Sequence, residues 1–66
     1  MINISVIIPT RNRSNLLRIL LESLKRQTLS QDEFEILVID NGSTDNTKQV
    51  AESFFREFKN IKYFLE

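Results

Sequence analysis

Apolar positions along the chain fall into two rhythms. Ile4–Ile8, Phe34–Ile39 and Ile61–Leu65 are short, nearly continuous apolar runs. Runs of that length without clean alternation predict strands buried on both faces, as in a parallel sheet. Between the first two runs, Leu16, Leu17, Leu20, Leu21 and Leu24 recur at the spacing of one helix stripe. Val50, Ala51, Phe54, Phe55 and Phe58 repeat the spacing between the second and third, and both stripes are read as core. On the polar faces Glu22 precedes Arg26 and Glu52 precedes Arg56, the favourable order for an ion pair one turn apart. The predicted order is β-α-β-α-β. Strands alternating with single helices imply an α/β fold with right-handed crossovers and parallel strands in the order 3-2-1, half of a Rossmann-like sheet.

Length and composition narrow this picture. Sixty-six residues, 41% of them hydrophobic and 27% charged, make an ordered globular chain with a small core. No residues remain to cover the free edge of the first strand, an exposure that complete domains avoid. Residues 1–66 are therefore expected to be the N-terminal part of a larger single domain, with self-association through the strand-one edge as a consequence. With no cysteine and no histidine, neither a disulfide nor a zinc site is available. Absent cysteine fits a reducing compartment. The expected location is cytoplasmic, extending to the inner face of a membrane in the full protein, since no apolar run reaches the length of a span and no signal peptide is visible. Nine basic and nine acidic residues cancel, which removes the footprint of a nucleic-acid binder. Arg11, Arg13, Arg18, Lys25 and Arg26 nevertheless cluster before residue 30, against Glu22 alone, as the solvated face of the first helix.

Candidate chemistry lies where the first two strands end, because ligands of a parallel α/β sheet bind outside the carboxyl ends of its strands. Pro9, the only proline, closes the first apolar run, and Thr10-Arg11-Asn12-Arg13 follow as a polar loop with Ser14 as the expected helix cap. Gly42, the only glycine, lets the chain leave the second strand sharply behind Asp40 and Asn41. Ser43 or Thr44 is expected to cap the second helix, with Asp45 in its first turn. Asp40 is the sharpest candidate, since no capping role requires an acid at the last strand position. A carboxylate there can accept paired hydrogen bonds from a ribose diol or a base N–H. Thr10 and Asn12 are turn-formers or ligand contacts; Arg11 and Arg13 are phosphate clamps or surface charges.

The stretches SVIIPTRNR (Ser5–Arg13), LLRILLESLKRQT (Leu16–Thr28) and EILVIDNGSTDNT (Glu35–Thr47) together resemble the start of a family 2 glycosyltransferase of GT-A fold. The resemblance implies an enzyme that transfers a sugar from a nucleotide sugar, usually a UDP-sugar, to a glycan or lipid-linked acceptor in glycan or polysaccharide synthesis. It implies that Thr10 and Asp40 contact the base, that Pro9, Arg11 and Asn12 shape the pocket, and that Asn41 and Ser43 belong to the same nucleotide-binding edge. Asn41 stands where many members carry a second acid. The family's metal-binding Asp-x-Asp, which takes Mn or Mg, and its catalytic base belong to later strands, so the chain alone is expected to recognise nucleotide without transferring sugar.

Rival readings are weaker. The turn after the first strand, PTRNRS, lacks the G-x-G-x-x-G of a dinucleotide fold, and no G-x-x-x-x-G-K-[ST] is present. The alternative that stays open is a non-catalytic α/β module that binds a partner chain through its open sheet edge.

Overall fold

The computed structural model describes residues 2–66. It contains β1 (Ile4–Thr10), α1 (Ser14–Lys25), β2 (Phe34–Asp40), α2 (Thr47–Ser53) and β3 (Ile61–Leu65). The strands are all parallel, with β2 central between β1 and β3. The expected α/β order and the 3-2-1 sequence of strands are both present.

Two successive crossovers in the same direction put both helices on one face of the sheet. The core is that single interface: Ile8, Phe34, Ile36 and Val38 from the sheet against Leu17, Leu21, Val50, Ala51, Phe54 and Phe58. The prediction of strands buried on both faces is corrected accordingly. Along β2 burial alternates residue by residue, and on the far face Ile7 and Phe64 are 62% and 45% exposed. The helix stripes are also narrower than predicted. Leu17 and Leu21 are buried, whereas Leu16, Leu20 and Phe55 are exposed, the first two beside the free edge of β1.

α2 ends earlier than its stripe suggested. After Ser53 the chain tightens into three-residue hydrogen bonds, Phe54 N–H to Ala51 O (3.1 Å), Phe55 N–H to Glu52 O (3.1 Å) and Glu57 N–H to Phe54 O (2.9 Å). This turn brings Phe58 back under the sheet, edge-on to Phe34 with ring centroids 6.3 Å apart and beside Phe54 at 6.2 Å. Lys25 links the two helical segments, its Nζ 5.9 Å from the Phe54 ring centroid and 3.7 Å from Glu57. Glu22 pairs with this same Lys25, at 3.8 Å, rather than with Arg26, and no Glu52–Arg56 ion pair forms among the described residues.

The edge of β1 away from β2 has no partner strand among the described residues. β1 itself runs one residue beyond Pro9, to Thr10. Thr10 directs its carbonyl at Asn41 N–H (2.9 Å), so strand alternation turns the main chain of Pro9 to the free edge, where a missing donor breaks no ladder bond. Along this edge Val6, Ile7, Pro9, Leu16 and Leu20 line an open groove of about 280 Å³.

Candidate functional site

The register aligns Thr10, Asp40 and Leu65 at the carboxyl edge of the sheet. Three polar side chains are buried among the described residues, Thr10, Asp40 and Thr47, and all three stand at or beside this edge. A small core does not place polar groups there without a use or a partner, since each unpaired one costs about 1–3 kcal/mol. No buried polar side-chain atom among the described residues lacks a partner.

Asp40 is 1% exposed. Its Oδ1 accepts the Ser43 N–H at 2.9 Å, and its Oδ2 accepts the Tyr63 O–H at 2.6 Å. The acid at the strand end thus has a structural role that its place in the sequence does not reveal. It closes the turn through Gly42, whose φ of +81° is the left-handed conformation that glycine adopts without strain, and it receives the phenol of β3. Tyr63 is a site residue that sequence reasoning missed. As the middle of an apolar strand it gave no local signal; only the three-strand register brings its hydroxyl to Asp40.

The two groups shift each other's ionisation. Burial pushes the Asp40 carboxyl up, but the hydrogen bonds from Ser43 and Tyr63 together outweigh it and hold it below the ordinary carboxylate value. Burial, then the hydrogen bond to Asp40 and the charges of Asp40 and Glu52, raise the Tyr63 phenol from 10.0 to about 12. A raised folded-state value means that the phenol's contribution to stability is complete below pH 10 and is lost as pH climbs through about 12. The depressed Asp40 contributes above the ordinary carboxylate range, and this is lost as pH falls through its lower folded value. Tyr63 is the only tyrosine and tryptophan is absent, so absorbance at alkaline pH reads it directly. A midpoint near 12 is expected in the folded chain, with a return toward about 10 on unfolding; a folded-state midpoint at the unfolded value would contradict the contact.

The loops above Asp40 are laced together. Asn12 has a positive φ of 52°, which asparagine tolerates better than most residues. From there its Oδ1 accepts the N–H groups of Thr44 (2.7 Å) and Asp45 (3.2 Å), while its own N–H donates to Ser43 Oγ (2.8 Å). Asp45 Oδ2 accepts the Ser14 N–H at 3.4 Å across the same gap. Asn12 and Ser43 therefore shape the edge by holding one loop to the other. Both expected helix caps are corrected. Ser14 is already helical, Arg13 occupies the cap position without a side-chain cap bond, and Ser14 is served by Asp45. α2 begins at Thr47, beyond Ser43 and Thr44, and Asp45 lies before the helix, where its Oδ1 accepts Thr47 N–H (3.0 Å) and Oγ1–H (2.5 Å). The hydrogen bond from the Thr47 hydroxyl is the largest of the influences that lower the Asp45 carboxyl.

Arg11, Arg13 and Asn41 stand exposed on the rim, and neither arginine makes an ion pair among the described residues. Of the sequence candidates, then, Thr10, Asn12, Asp40, Asn41 and Ser43 meet at one place. Pro9 opens instead toward the free edge. No group of three or more acidic side chains that could hold a metal ion occurs among the described residues. The residues present do not fit such a site.

Comparison with known proteins bears on this edge. A family model described as glycosyl transferase family 2 matches residues 5–66. A validoxylamine A glucosyltransferase of Streptomyces hygroscopicus is 44% identical over 63 residues, covering 96% of this chain and 15% of the relative. The crystal structure of Staphylococcus aureus TarS 1-349 in complex with UDP-GlcNAc superposes with a TM-score of 0.92 at 37% identity, covering 98% of this chain and 18% of that one. A Pyrobaculum calidifontis mannosyltransferase in complex with GDP-Man and Mn²⁺ superposes with a TM-score of 0.86 at 25% identity, over 97% of this chain and 19% of that one. The chain thus spans less than a fifth of the length of each of these proteins.

Proposed function

The chain belongs to glycosyl transferase family 2, and from that premise we propose that it is the nucleotide-recognition part of a transferase that moves a sugar from a UDP-sugar to a glycan or lipid-linked acceptor. The observation that carries the proposal is the buried, hydrogen-bonded Asp40 at the carboxyl edge of a parallel sheet, roofed by two interlocked loops. Ligands of such sheets bind at this edge. Asp40 is fully buried with one donor on each oxygen, so it holds this edge from beneath, and the N–H of a base or the hydroxyls of a ribose meet the polar groups set above it. Thr10, Asn41 and the donor groups of Asn12 border that position. Arg11 and Arg13 lie on the rim, within the reach of long side chains to a diphosphate.

Support for UDP comes from the structural likeness to TarS, which was crystallised with UDP-GlcNAc. The proposed division of labour leaves the metal and the reacting groups to other parts of a complete transferase of cytoplasmic location. A titration against uridine, guanosine and adenosine diphosphates tests the reading. The uridine nucleotide is expected to bind best and to shift the amide signals of Asp40, Asn41 and Ser43. Equal, diffuse shifts with all three would favour instead a module that works only through its open sheet edge.

A further inference from the structure

We propose that Asn41–Gly42 is a site of spontaneous covalent modification, where Asn41 loses its side-chain nitrogen as ammonia and becomes an aspartyl or isoaspartyl residue. It stands whether or not a nucleotide binds at this edge. Both residues are exposed. Asn41 is anchored only by its main chain, its N–H donating to Thr10 O at 2.9 Å. Its side chain makes no hydrogen bond among the described residues, and the Gly42 N–H donates none. Around Gly42 the space is open, since beyond its chain neighbours no atom lies within 4 Å of where a Cβ would stand. The nitrogen that must attack is therefore unhindered, unpaired and next to a free amide.

The step balances with water as the sole co-reactant. Gly42 N bonds to Asn41 Cγ and closes a succinimide ring, while its proton passes through solvent to the departing NH2 group, which leaves as ammonia. Water then adds to one ring carbonyl and breaks that carbonyl's bond to nitrogen. Cleavage at Cγ gives aspartate; cleavage at the main-chain carbonyl gives isoaspartate, whose chain runs through Cβ and Cγ. No atom is oxidised or reduced.

Other asparagines lack this combination, because a residue with a side chain follows each of them. The N–H groups after Asn3 and Asn46 are also occupied, by Glu33 O at 3.1 Å and Asp45 Oδ1 at 3.0 Å. Asn12 and Asn60 have their side chains engaged, with Thr44 N–H and Gln31 O. At Asn41 the product matters to the fold. Ser43, two residues on, donates to Asp40 and accepts the Asn12 N–H, so a main chain lengthened at residue 41 pulls on both bonds.

The chain is incubated in mildly alkaline buffer, well below its melting transition, and in parallel in urea. Peptide mass spectrometry locates the product, ion exchange separates the more acidic forms, and an isoaspartyl O-methyltransferase marks isoaspartate. Product is expected at Asn41 ahead of every other asparagine, at a folded-state rate within about 10-fold of that in urea, as for a site open to local motion. The isoaspartyl form is expected to melt below the unmodified chain, and Asn41→Gln to abolish the acidic forms. A site reached only by global unfolding would instead be slowed on the order of 10³-fold or more. That slowing, equal reaction at Asn46, acidic forms that persist in Asn41→Gln, or an isoaspartyl form that melts like the unmodified chain would each overturn the proposal.

Discussion

Asp40→Ala is expected to weaken UDP binding by a complete transferase carrying these residues by about 10- to 150-fold, the equivalent of roughly 1.5–3 kcal/mol, because the turn that presents Asn41 and Ser43 loses its charged acceptor. The substitution also strands the Ser43 N–H and the Tyr63 hydroxyl, which both lose their acceptor. A stability loss of about 1–3 kcal/mol should therefore accompany the loss of affinity. Asp45→Ala supplies the contrast. Asp45 accepts from Thr47 and Ser14 and holds the start of α2 against the start of α1, so its loss is expected to lower the melting temperature with little change in nucleotide affinity. Calorimetric titration of UDP into the two variants, with thermal melts alongside, reads both effects. Equal weakening of UDP by the two substitutions would contradict the division between a carboxylate that underlies the nucleotide edge and one that only holds the loops.

That division was only half legible in the sequence. The order of strands and helices was readable because each apolar run is short and each helix stripe keeps its spacing, as Leu17 with Leu21 and Val50 with Ala51 show. Asp40 was readable as a candidate because an apolar strand gains nothing from ending on an acid that caps no helix. Its partners were not. Tyr63 lies 23 residues further on and meets Asp40 only through the sheet register. The clasp around Asn12 spans 31 to 33 residues and depends on a positive φ that no local pattern announces. The helix starts slipped by one or more residues for a related reason. The side chains that satisfy the first N–H groups come from across the loop–loop gap or from an acid ahead of the helix, so the nearest serine or threonine was a poor guide. Leu16 and Leu20 carried the right spacing for core, but they lie beside the free edge of β1, where no further strand among the described residues covers them.

The central claim is that these residues recognise nucleotide and leave the metal and the chemistry to others. A titration of the isolated chain with UDP, with and without Mn²⁺, tests it most directly. Asp40 and its neighbours offer a few hydrogen bonds of roughly 0.5–3 kcal/mol each, and millimolar binding already requires about 4 kcal/mol. Among the described residues the acids are not grouped to hold a cation that would bridge to a diphosphate. The expected result is UDP binding no tighter than millimolar, centred on Asp40, Asn41 and Ser43, unchanged by Mn²⁺ and accompanied by no hydrolysis of a sugar nucleotide above blank. Micromolar binding that requires Mn²⁺, or turnover above blank, would contradict the account.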